Sequence, residues 1–291
     1  MDFHNILYPF TALLIFILAC GLGIFLTRKL HLGWNLWLVG AAGFVLSQVG
    51  HIPFNMLVVT LMERGILPKP GPQLALVFPA IFGGLSAGVW EELVRYAIMR
   101  WWARDARTWK RSVLFGAGWG GAEAILTAIL ALYTFAQMGI LRNGDLNKLV
   151  PPEQVAAIQQ VVASYWSAPA YMVLLSFFER AMALVVQISM SVLVVQAFIR
   201  RNFYWVVLAL LYHALADAVS VYIAGRYGAL PAEGVVAIFA LISLGLIFML
   251  RTAEPQEVDT AGSQTFQPLI IPKKVEIEET PENLESTRFN R

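Results

Sequence analysis

The chain has 291 residues, of which 58% are hydrophobic and only 14% are charged. Soluble globular domains carry roughly 25% charged residues, so this composition excludes an ordinary soluble protein and favours a membrane protein. The one cysteine, Cys20, excludes a disulfide or a cysteine-based metal site within a single chain.

Seven stretches are long and apolar enough to cross a bilayer, since a transmembrane helix needs about 20 mostly apolar residues. The candidate spans are 6–27, 33–62, 73–100, 112–139, 167–199, 203–224 and 231–251. No alternating pattern typical of strands accompanies them. We therefore predict an all-α, polytopic membrane helical bundle of about seven transmembrane helices, which forms one domain over residues 1–251 and lies in a lipid bilayer.

The basic residues between the spans are distributed unevenly. Nine lie at one end of the predicted bundle: Arg28, Lys29, Arg100, Arg104, Arg107, Lys110, Arg111, Arg200 and Arg201. Five lie at the other end: Arg64, Lys69, Arg142, Lys148 and Arg226. Because cytoplasmic loops carry an excess of Lys and Arg, we expect a multi-pass protein of the cell (plasma) membrane with its N-terminus outside and its C-terminus in the cytoplasm. The net charge of +2 then reflects topology, and no nucleic-acid partner is expected.

Two segments are not predicted to cross the membrane. Residues 151–166 place Val155, Ile158, Val162 and Tyr165 near one helical face, which predicts a short helix on the outer surface. Residues 252–291 contain eight acidic and four basic residues. Their composition is typical of a solvated, flexible cytoplasmic tail, or of a docking segment for partner subunits.

Ionisable side chains inside the spans are the candidates for chemistry, because a charge at the bilayer centre costs at least about 2.5–3.5 kcal/mol on insertion scales. At a helical rise of about 1.5 Å per residue, Glu91, Glu123 and His213 lie about 13, 18 and 18 Å from the basic loops. Three helices thus carry such groups to a similar depth. We expect Glu91 or Glu92, Glu123, His213 and Asp217 to line one polar cavity that opens toward the cytoplasmic half of the bundle.

Helical spacing suggests how these groups pair. Glu91 and Arg95 are four residues apart and share a helix face, as do His213 and Asp217. Glu123 has no basic residue within four positions, so we expect a partner on another helix, either Arg95 or His213. The alternative interpretation is that all these groups make structural contacts within the bundle.

Five further polar residues of the spans are interpreted as structural. Gln48, His51 and Asn55 in the second span are expected to bond between helices, and Glu179 and Arg180 in the fifth to make structural hydrogen bonds.

Four motifs carry a family resemblance: EELVRY at 91–96, FGAGWGGAEAIL at 115–126, ERAMALVVQISMSVLVV at 179–195 and HALAD at 213–217. In this order they resemble the YhfC-like intramembrane proteases, relatives of the CAAX-protease and bacteriocin-processing (CPBP) superfamily. The resemblance implies hydrolysis of a peptide bond at membrane depth, with Glu91 activating water and with Glu92 and Arg95 supporting it. It also implies that His213 and Asp217 bind the catalytic water or polarise the scissile carbonyl.

The chain departs from this pattern at two positions. Relatives tend to carry a histidine four residues after the motif phenylalanine, here Phe115, and another in the fifth-span motif. This chain has Trp119 and Gln187 at those positions. An indole offers only an N–H donor, and zinc favours several nitrogen or sulfur ligands. We therefore expect no bound metal and no other cofactor.

Three functional hypotheses follow. The first is an intramembrane protease of glutamate type that cuts a membrane-protein or peptide substrate, with Glu91 as general base and Glu92 or Glu123 tuning its basicity. The second is a catalytically silent, protease-derived subunit or scaffold of a membrane protein complex. A transporter or proton relay is a third possibility, but no pattern of paired broken helices supports it.

Overall fold

The computed structural model describes residues 3–253, and its elements in this range are nine α-helices and three short 3-10 helices, without any strand. They are α1 (His4–Leu30), α2 (Asn35–Glu63), α3 (Val77–Trp101), α4 (Trp109–Asn143), α5 (Leu146–Leu149), α6 (Val155–Trp166), α7 (Ala170–Ile199), α8 (Tyr204–Tyr227) and α9 (Ala229–Met249). All except α5 and α6 are long and apolar enough to cross a membrane. The predicted all-α polytopic bundle is confirmed.

The predicted spans match these seven helices in order, and each boundary agrees within four residues. The expected acidic tail, 252–291, lies outside the described residues apart from its first two positions. Its interpretation as a docking segment therefore stays a prediction.

Helix α7 forms the centre of the bundle. It packs against α1, α3, α4, α8 and α9, and every residue from 186 to 197 is buried. A helix that is buried on all sides is mostly apolar around its whole circumference. The few polar side chains that it carries need hydrogen-bond partners inside the protein. Gln196 accordingly donates to the carbonyl oxygen of Leu250 at 3.3 Å, whereas Gln187 is directed into the polar centre described below.

Glycines allow α4 to lie between α2 and α7. A Cβ atom at Gly118 would lie 1.9 Å from the carbonyl oxygen of Trp37, and one at Gly116 would lie 2.8 Å from Cα of Ile188. These distances leave no room for any side chain, so the glycine-rich run of α4 permits the close approach of the neighbouring helices. The packing brings Trp119 of α4 into the middle of the bundle.

A second pair of glycines brings α3 against α8. A Cβ atom at Gly84 would lie 2.5 Å from the carbonyl oxygen of Ala214, and one at Gly88 would lie 2.8 Å from that of Leu210. Because the backbones are so close, side chains on the next turn of α3 reach those of α8 directly.

The amphipathic segment between α4 and α7 is helical, as predicted. Helix α6 directs Val155, Ile158, Val162 and Tyr165 inward, and most of its other residues are exposed. Tyr165 stacks on Tyr8 of α1 at a centroid distance of 4.4 Å. This contact fixes α6 against the end of the bundle that lies opposite the basic loops.

Candidate functional site

A cavity of about 340 Å³ lies among α3, α4, α7, α8 and α9. Four of the six predicted site residues line it: Glu91, Glu123, His213 and Asp217. The other two, Glu92 and Arg95, are fully buried and are absent from its lining. Three helices thus do carry ionisable side chains to one shared space.

The cavity extends away from the basic end of the bundle, which we define as the end that carries the loop 102–108 and the loop after α7. From Glu91 and His213 it continues along Gly84 of α3, Ser220 of α8 and Val236 of α9. The expected opening toward the basic, cytoplasmic half is therefore wrong. Fully buried side chains fill that half, namely Met99, Leu114, Phe115 and Trp119.

Both carboxylate oxygens of Glu91 accept hydrogen bonds from neighbouring helices. Nε1 of Trp119 and Nε2 of Gln187 donate to Oε2 at 3.0 and 3.2 Å. Nε2 of Gln48 donates to Oε1 at 3.3 Å. The two residues that stand where relatives tend to carry histidine therefore meet at one oxygen of Glu91.

Arg95 pairs with Glu92 and not with Glu91, which corrects the pairing expected from the four-residue spacing. Its Nη1 donates to both carboxylate oxygens of Glu92, at 3.1 and 3.0 Å. Its Nη2 donates to Oε1 of Gln187 at 2.5 Å, and its guanidinium lies 4.4 Å from the ring centroid of Trp119. Glu91 faces the cavity, and the ion pair lies entirely within the protein.

His213 lies between two carboxylates. Its Nδ1 is 2.8 Å from Oε1 of Glu92, and its Nε2 is 3.5 Å from Oδ2 of Asp217. The His213–Asp217 pair predicted from the spacing is thus present at the longer of these two distances. Only the Asp217 side chain is substantially open to the cavity, with 43% of its surface exposed.

Glu123 finds its partner on α7. Nη1 of Arg180 donates to its Oε1 at 2.8 Å, and Nε2 of Gln187 donates to its Oε2 at 2.8 Å. The expectation of Arg95 or His213 as the partner is therefore wrong. Arg180 also bonds its neighbour Glu179, and both residues line the cavity. The structural hydrogen bonds expected of Glu179 and Arg180 are thus present, at the edge of the cavity.

A series of hydrogen-bonded polar side chains on α2 leads to the carboxylate of Glu91. Nδ2 of Asn55 lies 2.9 Å from Nε2 of His51, and Nδ1 of His51 lies 3.2 Å from Oε1 of Gln48. Gln48 then donates to Glu91. The predicted interhelical bonding is confirmed for Gln48, which reaches Glu91, and for His51, whose Nε2 lies 3.1 Å from Oγ of Ser86 on α3. The bond of Asn55 stays within α2.

The donor set does not fit a zinc centre of the kind found in metalloproteases. Such a centre needs about three protein ligands, usually including several imidazoles, around an open position. Residues 3–253 contain no group of three His, Cys, Asp or Glu side chains placed to hold a metal. His213 already contacts a carboxylate through each ring nitrogen, while Trp119 and Gln187 supply N–H donors.

Comparison with known proteins places the chain in a family. The model of the family "YhfC intramembrane metalloprotease" matches residues 13–240. The "Uncharacterized membrane protein YhfC" of Bacillus subtilis (strain 168) is 31% identical over 219 residues, which cover 71% of this chain and 80% of that protein. No solved structure matches. The extent of the family match and the identity to the Bacillus subtilis protein show that this chain is a multi-pass membrane protein of the YhfC intramembrane metalloprotease family.

Proposed function

We propose that this chain is a catalytically silent member of its family, which retains a cavity for a membrane-embedded peptide segment and has lost the activation of water. The observation that carries the proposal is the pair of hydrogen bonds from Trp119 and Gln187 to Oε2 of Glu91. Both donors stand where relatives tend to have histidine. Each replaces a possible base or metal ligand with a group that can only hold the carboxylate in place.

A general base must accept a proton from a water molecule within hydrogen-bond reach. An ionised carboxylate has about four acceptor positions, and Trp119, Gln187 and Gln48 occupy three of them on Glu91. These three donors leave about one acceptor position of the carboxylate for a water molecule. The fully buried indole of Trp119 also fills the volume beside Oε2.

The cavity itself remains suited to a polypeptide. Its carboxylates Glu123, Glu179 and Asp217 have side chains that are 22%, 37% and 43% exposed. Among the cavity-lining residues that the structure describes, Arg180 is the one basic side chain apart from the imidazole of His213. Surplus acceptors of this kind bind the N–H groups of an extended backbone or a basic side chain. A segment would reach them from the end of the bundle opposite the basic loops.

A second candidate function is hydrolysis of glutamate type. It is favoured by the position of Glu91, which lines the cavity beside His213 and keeps one acceptor position on Oε1. In that scheme Glu91 takes the proton of a water held by His213 and Asp217, and the hydroxide attacks the scissile carbonyl.

A gain-of-function experiment tests the main proposal. The full-length protein and the double variant Trp119→His with Gln187→His are purified and supplied with zinc, then mixed with a library of membrane-peptide fusions. The proposal expects no cleavage by the wild type and zinc-dependent cleavage by the double variant. Cleavage by the wild type that is lost in Glu91→Gln would instead establish the second candidate.

A further inference from the structure

A separate cleft lies at the basic end of the bundle, between the end of α3, the end of α7 and the start of α8. Its volume is about 520 Å³. Three arginines line it, Arg100, Arg107 and Arg201, together with apolar and aromatic side chains. No acidic residue is among the lining residues that the structure describes. The cleft shares no lining residue with the cavity at Glu91.

The floor of the cleft is rigid. Arg107 donates from Nε to the carbonyl oxygen of Met99 at 2.8 Å and from Nη2 to that of Arg100 at 2.6 Å. Its guanidinium also lies 4.5 Å from the ring centroid of Phe198, which stacks on Tyr96 at 5.0 Å. These contacts fix the guanidinium, and its remaining N–H groups are not used by them.

The other two arginines are uncompensated. Within residues 3–253, the guanidinium groups of Arg100 and Arg201 make no hydrogen bond or ion pair, and Arg201 has a left-handed φ of 52°. Burial, followed by the charges of Arg100 and Arg104, lowers the pKa of Arg107 from its usual value. Positive charge is thus concentrated here without an acidic side chain among the described lining residues, which is the electrostatic condition for binding an anion.

We propose that this cleft binds the phosphate of an anionic phospholipid headgroup. Arginine guanidinium groups suit phosphate oxygens because their N–H donors match them in pairs. A lipid is favoured over a soluble phosphate by the neighbouring side chains. Trp101, Trp102 and Tyr204 are 62%, 74% and 67% exposed, and such aromatic residues are typical of the level of the headgroups. Basic pockets between helices on this face of a membrane protein bind anionic headgroups.

The test compares lipid retention by the full-length protein in native mass spectrometry. Phosphatidylglycerol is added to the detergent-solubilised protein, with phosphatidylcholine and inorganic phosphate as separate arms. The double variant Arg100→Gln with Arg201→Gln removes two cleft charges, and Arg28→Gln with Lys29→Gln removes two charges from the same end of the bundle outside the cleft. Each arginine near the surface contributes about fivefold to anionic lipid binding, so the cleft variant should bind phosphatidylglycerol roughly 30-fold more weakly.

The control variant should bind phosphatidylglycerol nearly as well as the wild type, and phosphatidylcholine should be retained by neither. An equal loss in both variants would attribute binding to the general field of the basic face and overturn the proposal. If inorganic phosphate binds and displaces the lipid, the ligand of the cleft is a soluble phosphate. That result would contradict the proposal of a phospholipid headgroup. No preference for phosphatidylglycerol in the wild type would also overturn it.

A single variant guards against a folding defect. Arg201→Gly removes one charge at a backbone conformation that favours glycine, so its thermal stability without lipid should equal or exceed that of the wild type. Its phosphatidylglycerol affinity should still fall about fivefold. An unchanged affinity in this stably folded variant would remove Arg201 from the site.

Discussion

The indole Nε1 of Trp119 donates a 3.0 Å hydrogen bond to Oε2 of Glu91, the carboxylate that the family pattern assigns to water activation. Gln187 donates to the same oxygen. Trp119 and Gln187, the two positions at which the sequence departs from the pattern of the family resemblance, therefore act on one atom.

The bond from Trp119 should be measurable as stability. Trp119→Phe keeps a ring and removes the donor to a charged acceptor, a type of bond that contributes about 1.5–3 kcal/mol. Trp37→Phe is the matched control, because Nε1 of Trp37 is buried without a hydrogen-bond partner. We expect Trp119→Phe to lower the thermal midpoint in detergent clearly more than Trp37→Phe. Equal shifts would show that the bond to Glu91 contributes nothing.

Arg95 should be the most sensitive polar residue of the bundle. Arg95→Met leaves Glu92 fully buried without its main counter-charge, and breaking a buried pair from one side costs about 3–5 kcal/mol. The double variant Glu92→Gln with Arg95→Met removes both charges and should recover much of that loss. Thermal unfolding of the two variants measures this, and a double variant that is less stable than Arg95→Met would contradict the assigned pairing.

The seven spans could be predicted from the sequence because each one is a stretch of 20 or more mostly apolar residues. The pairing of the buried charges was harder to predict. Spacing on a helix allows Arg95 to reach either Glu91 or Glu92, and only the position of the neighbouring helices decides between them. Likewise, the partner of Glu123 is Arg180 on α7, a contact that no local pattern in α4 contains.

The direction of the cavity could not be predicted for a related reason. Depth along a helix follows from residue number, but the space left between helices depends on side-chain volume. The sequence shows Trp119 as a departure from the family pattern. It does not show that the side chains of Trp119, Phe115 and Met99, all fully buried, pack in the same half of the bundle. Together they close the basic half of the bundle.

Replacing a glycine of α4 by alanine should have opposite effects on stability at two positions. Gly118→Ala would place its Cβ 1.9 Å from the carbonyl oxygen of Trp37, so α2 and α4 must separate and stability should fall. Gly139→Ala on the same helix meets no atom within 4 Å and should stabilise by up to about 1 kcal/mol through helix propensity. Thermal midpoints in detergent check both, and a stable Gly118→Ala would contradict the close crossing.

The zinc content of the purified protein should depend on the side chains at positions 119 and 187. The wild type purified in the presence of zinc should hold no stoichiometric metal, since its donors are already used in hydrogen bonds. Trp119→His with Gln187→His adds two imidazoles beside Glu91 and should bind about one zinc per chain. Elemental analysis of both proteins decides this, with Glu91→Gln in the double-variant background as a control that should weaken binding.

The most direct test of the account is peptide-bond turnover by the wild type itself. The full-length protein and its Glu91→Gln variant are reconstituted with the fusion library, and the zinc-loaded double variant serves as the positive control. We predict that the wild type and Glu91→Gln give the same background, because the proposed function assigns no water activation to Glu91. Turnover by the wild type that disappears in Glu91→Gln would contradict the account.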